Sequence, residues 1–202
     1  NAGTDEQIFL CDFEQICIPV SFSDPDNNLT VAELISGPGT LSGTEVCFTP
    51  ASEGTYTFII RAVDECGLED RDTVLVTVDK NSPPVASAPS TVNQFLCDPQ
   101  QLCHTFTATD PDGGTLTWSL ISGPGSITTG GQYCFTPTAS GSYTAEVQVT
   151  DSCGAFATTS ITYNVTLNSN PVAVDPTSPV DVAQCDAEEI CYQFSATDAN
   201  GG

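Results

Sequence analysis

The chain has 202 residues and sets 26 acidic side chains against three basic ones, Arg61, Arg71 and Lys80, for a formal charge of −23. That balance argues against nucleic acid or an anionic membrane surface as a partner, since both need a basic footprint, and it favours cations and solubility. Ten cysteines with no methionine and a single histidine point to an oxidising compartment, and no apolar run reaches the roughly 18 residues needed to insert into a membrane.

The period comes before any single element. FLCDFEQICIPVSFSDPDNNLTVAELISGPG at Phe9 to Gly39 returns as FLCDPQQLCHTFTATDPDGGTLTWSLISGPG at Phe95 to Gly125, and QCDAEEICYQFSATDANGG opens a third copy at Gln184. Cys11 maps to Cys97 with a shift of 86, Cys47 to Cys134 and Cys66 to Cys153 with 87, and Cys97 to Cys185 with 88. Single-residue insertions of this kind belong in turns and joints. The predicted domains are residues 1–80, residues 81–167, and residues 168–202 as a joint with the first two strands of a third repeat. No leader peptide opens the chain, the expectation for a mature or excised piece of an exported protein.

In the second copy, period-two alternation between turn signals predicts strands and no helix. Val92 to Leu96 is the first strand, turned by the DPQQ after Cys97. Leu102 to Thr107 follows, with Leu102, His104, Phe106 and Ala108 on one face. After the DPDGG turn, Leu116, Trp118 and Leu120 point inward. A bulge at SGPG leads into a short hairpin through Thr129 to Gly131, whose second arm is Gln132 to Thr136. After TPTASGS comes the longest strand, with Tyr143, Ala145, Val147 and Val149 inward. The DSCG turn leads to a last strand carrying Ile161, Tyr163 and Val165. Seven such strands predict an all-β fold: tandem immunoglobulin-like β-sandwich repeats of about 87 residues, set head to tail as a rod. Proline in the NSPPVA and NSNPVA joints at Asn81 and Asn168 stiffens the passage between repeats.

The NSPPVA joint, the ATDPDGG turn followed by LTWSLISGPG, the YCFTPTASGSYT segment and VTDSCG together resemble the tandem Ig-like, PKD-like and cadherin-like repeats of very large bacterial surface and secreted proteins. The resemblance covers the whole chain. It implies an extracellular, multi-domain, mechanical or adhesive protein and assigns no reaction. Two features depart from it: the cysteines, absent from the usual cadherin-like repeats, and Asn27 and Asn28, which replace the glycines of DPDGG.

Strand parity orients the cysteines. Cys17 is out of phase with inward Ile16, Ile18 and Val20, and Cys47 lies between inward Val46 and Phe48. In an Ig-like order these strands are antiparallel neighbours, so Cys17 with Cys47 and Cys103 with Cys134 are the expected cross-strand bridges. Two arrangements are open for the rest. In one, Cys11 bridges to Cys153 across the joint while Cys66 and Cys97 take partners in other units. In the other, Cys11 pairs with Cys17 and Cys47 with Cys66 inside one repeat. Cys185 and Cys191 have no assigned partner. Zinc is disfavoured, because neither a CxxC nor a Cys/His cluster occurs.

Asp110 and Asp112 lie in the turn after the second strand and Asp151 in the turn before the last; Asp24, Asp26 and Asp64 are their first-copy counterparts. In an Ig-like order these turns converge beside the joint, an oxygen-rich setting suited to calcium. The competing reading is that DPDG is turn chemistry needing no ion. No cofactor other than possible calcium is expected. Repeated aspartate pairs on turns suit structure better than a unique two-acid cleft, so no enzyme is expected. His104, replaced by Ile18 and Tyr192 in the other copies, reads as packed. Trp118, with Ala32 as counterpart, reads as core rather than a sugar platform. Asn28 and Asn164 match the N-glycosylation sequon.

The predicted function is a structural repeat segment of an extracellular filament or surface fibre, rigidified by disulfides, whose partners are copies of itself or further repeats. The competing expectation is spacer, adhesive or carbohydrate-binding repeats of a giant secreted adhesin or multidomain enzyme. The third copy reaches Gly202 after two strands, too few to hold a core, so the expectation is either that other copies of the chain complete it or that the sequence is a window cut from a longer repetitive polymer.

Overall fold

The computed structural model describes residues 4–87, 91–174 and 193–200 together with Ala183, Glu189 and Cys191, and the regular structure among them is β-strand. Two compact units result. The first comprises Asn1–Pro83 with Asp110–Gly114 and Asp151–Ala155; the second comprises Pro84–Thr109, Thr115–Thr150 and Phe156–Gly202.

The first unit contains β1 (Glu6–Leu10), β2 (Ile16–Pro19), β3 (Leu29–Ser36), β4 (Thr40–Ser42), β5 (Glu45–Phe48), β6 (Gly54–Asp64) and β7 (Glu69–Lys80). They form two sheets, ordered β1-β7-β6-β3 and β2-β5-β4. Alternation along β6 and β7 puts Phe58, Ile60, Val74, Val76 and Val78 into the core, where Val46 of β5 and Ile18 of β2 meet them. Each side chain so buried contributes about 1.5–3 kcal/mol.

The second unit repeats the plan. Its strands are β8 (Val85–Ala86), β9 (Val92–Leu96), β10 (Leu102–Thr105), β11 (Ala108–Thr109), β12 (Thr117–Ser122), β13 (Ser126–Ile127), β14 (Gln132–Phe135), β15 (Gly141–Thr150), β16 (Phe156–Leu167), β17 (Val172–Val174) and β18 (Ser195–Thr197). The sheets are β12-β15-β16-β9 and β10-β14-β13, with the small pairs β11-β8 and β17-β18. Trp118, Tyr133, Phe135, Val147, Val149, Ile161 and Tyr163 fill the core. Of the residues read as inward along β15 and β16, Ala145, Val147, Val149, Ile161, Tyr163 and Val165 are buried and Tyr143 is half-buried.

Two features depart from the strand reading. β1 runs parallel to β7, with Ile8 beside Val78, and β9 runs parallel to β16, with Gln94 beside Val165. The strand expected over Leu102 to Thr107 ends at Thr105, because the chain there changes partners. The Phe106 N–H turns to Gly131 O at 2.9 Å, the Thr107 carbonyl accepts from Ser87, and β11 pairs with β8 instead of β14. The SGPG segment makes the expected bulge, with register shifts at Leu34/Ser36 and Leu120/Ser122.

Candidate functional site

Four of the cysteines sit on paired strands. Cys17 of β2 lies opposite Cys47 of β5 in register, joined as a disulfide with Cα atoms 4.1 Å apart. Cys103 of β10 and Cys134 of β14 repeat the arrangement at 4.2 Å. Parity explains the exposure, since Ile18, Val46 and Phe48 take the inward positions.

A third disulfide joins Cys11, just past β1, to Cys153 at a Cα distance of 5.2 Å over a sequence separation of 142. Both residues belong to the first compact unit. The pairing of Cys11 with Cys17 and of Cys47 with Cys66 is not the one formed; Cys66, Cys97 and Cys191 are exposed thiols. Cys185 lies outside the described residues.

Hydrogen bonds surround the Cys11–Cys153 bond. Asn81 donates its backbone N–H to Leu10 O at 2.8 Å and its side-chain amide to Asp151 Oδ2 at 2.7 Å. Asp151 Oδ1 accepts from Cys153 and Ala155 N–H, each at 2.9 Å. These donors, the Asn81 amide foremost, hold the buried Asp151 carboxyl below the ordinary carboxylate value. Ser82 N–H donates to Asp112 Oδ2 at 2.5 Å. Beside them Lys80 reaches Asp12 at 2.9 Å and lies 4.9 Å from the Phe13 ring centroid. The shared DPD and DxC spacing carries the turns and the Ig-like order sets them beside the Asn81 joint, but the hydrogen bond from the Asn81 amide to Asp151 has no signal of its own in the sequence.

The other candidate calcium ligands are engaged in the same local way. Asp110 Oδ1 accepts the Asp112 N–H at 2.9 Å, Asp24 Oδ1 the Asp26 N–H at 2.8 Å, and Asp64 Oδ1 the Leu68 N–H at 2.8 Å. Asn27 adopts φ 58°, matching φ 79° at Gly113, so the Asn-for-Gly exchange preserves the turn. Among the described residues these aspartates bring no three ligand oxygens together; the one such cluster is Cys17, Glu45 and Cys47, and its cysteines are disulfide-bonded. The set therefore fits turn closure better than a metal cage. Among the described residues two side-chain oxygens stand apart: Asp110 Oδ2 and Asn28 Oδ1 are buried with no hydrogen-bond partner.

The remaining candidates resolve into packing. Trp118 is 7% exposed, in the core. The His104 ring is 4.9 Å from that of Phe106, and burial lowers its pKa. Asn28 is half-buried in its turn, while exposed Asn164 donates to Asn93 Oδ1 at 3.0 Å. Each base is ion-paired: Arg61 with Glu33 and Glu69, Arg71 with Glu69, and Lys80 with Asp12.

Sequence reading took Tyr143 for simple core and missed a second role. Tyr56 Oη donates to Ser52 O at 2.7 Å and Tyr143 Oη to Ala139 O at 2.8 Å, each closing the loop four residues upstream. This is the tyrosine corner of Ig-like sandwiches. The matching FTPASEGTY and FTPTASGSY segments were the available signal.

Residues 81–166 match the family model of the bacterial Ig domain. No curated protein matches. Among solved structures, the chain is similar to the protocadherin gammaB7 EC3-6 cis-dimer structure (TM-score 0.50, 17% identity, 93% of this chain and 61% of that one). It is also similar to the protocadherin gammaB4 extracellular domain (TM-score 0.51, 18% identity, 96% and 39%). The chain thus spans less than two thirds of these structures, and at such identity the likeness is one of fold. Its fold is that of tandem Ig-like, cadherin-like β-sandwich repeats, with the bacterial Ig domain matched over 81–166.

Proposed function

We propose that the chain is a structural segment of an extracellular filament or surface fibre, organised as sequence repeats over 1–80 and 81–167 with a third beginning at 168. The observation that carries this reading is the Cys11–Cys153 disulfide, which ties a cysteine of the first sequence copy to one of the second. Hydrogen bonds from Asn81 and Ser82 flank it. A covalent tie at a joint, added to a cross-strand disulfide in each copy, resists pulling and proteolysis and supplies no chemistry to a substrate. Oxidising conditions outside the cell are where such bonds persist. The partners are further copies of the same repeat, and the head-to-tail rod is the geometry this function requires. Negative-stain microscopy of native material tests it: long, thin, regular fibres are expected, and dispersed short particles would overturn it.

A calcium-stiffened joint is the second reading, favoured by the unpartnered Asp110 Oδ2. It predicts a lower melting temperature in excess EDTA than in calcium. An unchanged temperature removes it and leaves the fibre reading intact.

A further inference from the structure

The two units treat one opening of the sandwich differently. In the second, Trp118 of β12 turns its ring inward, 5.5 Å from that of Phe106, and is 7% exposed. Its backbone N–H donates to Thr129 O at 3.1 Å, so the loop after β13 is drawn over the edge of β12. In the first unit small residues stand at these places: Ala32 is the counterpart of Trp118, Val20 of Phe106 and Val46 of Tyr133. The loop is also one residue shorter, GTLSGTEVC against GSITTGGQYC, and β4 takes it up in a hairpin with β5, Ser42 opposite Glu45. Among the described residues no loop carbonyl is hydrogen-bonded to the Ala32 N–H. What remains is an open groove of about 390 Å³ lined by Ala32, Glu33, Leu34, Gly39, Thr40 and Leu41.

We propose that this groove binds the tryptophan side chain of a basic, extended segment of another protein, the indole taking the place that Trp118 takes in the second unit. The proposal goes beyond the fibre reading and does not rest on it.

The occupant follows from the walls. Leu34 and Leu41 pack half-buried against the core and offer the ring an apolar seat. A hole left where a large apolar side chain is shortened stays open to an aromatic ring of matching size. The size is set within the molecule itself, since the same strand plan holds an indole at Trp118. The extended form follows from the edges. β3 and β4 each end their sheets, ordered β1-β7-β6-β3 and β2-β5-β4. A strand laid along β3 brings a carbonyl to the Ala32 N–H, as Thr129 O is brought to Trp118, and its alternating side chains send one into the groove. The basic character follows from charge. Glu33 lines the groove, Arg61 beside it is already held by Glu33 and Glu69, and the chain carries −23. Cationic residues flanking the tryptophan are therefore attracted and acidic ones repelled.

The test titrates the full chain with a fluorophore-labelled, end-blocked peptide, Lys-Thr-Trp-Thr-Lys, read by polarisation, and repeats the titration on isotope-labelled chain read by amide chemical shifts. Saturable one-to-one binding is expected, weakening as salt rises, with shifts centred on Ala32–Leu34 and Gly39–Leu41. The peptide with alanine in place of tryptophan should bind about thirtyfold more weakly, the loss typical of a removed aromatic anchor. Ala32→Trp, whose own indole fills the groove, should weaken the parent peptide to the same degree. An unchanged far-UV spectrum and a retained Cys17–Cys47 peptide verify that this variant folds, and the shift map of the unaltered chain stands without it. No saturable binding, equal affinity for the alanine peptide or for Glu-Thr-Trp-Thr-Glu, shifts centred on β12 and β13, or undiminished binding by folded Ala32→Trp would overturn the proposal. Free indole binding as tightly as the peptide would overturn it too, by making the groove a small-molecule pocket.

Discussion

At the residue scale, small polar and glycine positions decide whether the local geometry closes. A Cβ on Gly125, at φ 86°, would run into the Cys134 carbonyl and lie 2.6 Å from Phe135 Cβ. Gly125→Ala should therefore destabilise the protein by on the order of 3 kcal/mol in urea titration, combining left-handed strain with overpacking. Gly130→Ala, whose Cβ would meet nothing nearer than Thr128 Oγ1 at 3.9 Å, should change little. Tyr143→Phe removes the hydroxyl closing the Ala139 corner and should cost about 1–2 kcal/mol in the same titration. Asp151 yields a pH signature. Its folded value is depressed, so its contribution is complete above about pH 4, the ordinary carboxylate value, and fades as pH falls through the lower folded value. Melting temperatures between about pH 2 and 6 should show an acid limb that flattens in Asp151→Asn. At the alkaline end, burial pushes the Tyr133 hydroxyl up to about 12, with Tyr163 adding to it, and Tyr133 Oη donates to Pro124 O at 2.6 Å.

At the element scale, the disulfides act on strands that already pair. Cys103 and Cys134 are held in register by β10 and β14, so the bond mainly restricts the unfolded chain. Closing a separation of 31 residues should stabilise by about 3–4 kcal/mol. The double variant Cys103→Ser/Cys134→Ser should lose that amount by urea titration and keep its far-UV spectrum. Strands and their facing were legible because alternation is a local property: Val147 and Val149 are completely buried as the period-two pattern requires. The break between β10 and β11 was not legible. It depends on Gly131 and Ser87, distant in sequence, offering Phe106 and Thr107 different backbone partners. The aspartate turns were legible as turns, but the Asn81 amide that binds Asp151 was not, since no periodicity relates them.

At the scale of the whole molecule, charge dominates. With 26 acids, three bases and each base in a surface ion pair, mutual repulsion outweighs pairs worth about 0–1 kcal/mol each. Raising sodium chloride should therefore raise the melting temperature; a fall would mean the Arg61, Arg71 and Lys80 pairs dominate. By itself the sequence determined the repeat, the all-β character, the inward faces and the outward cysteines, because these follow from spacing along one chain. Tertiary structure decided the parallel pairings of β1 and β9, the grouping of turns 110–114 and 151–155 with Asn1–Pro83, and the choice of Cys153 over Cys17 for Cys11. A bridge needs Cα atoms within about 7 Å, and for residues 142 apart only the folded path of everything between them sets that distance.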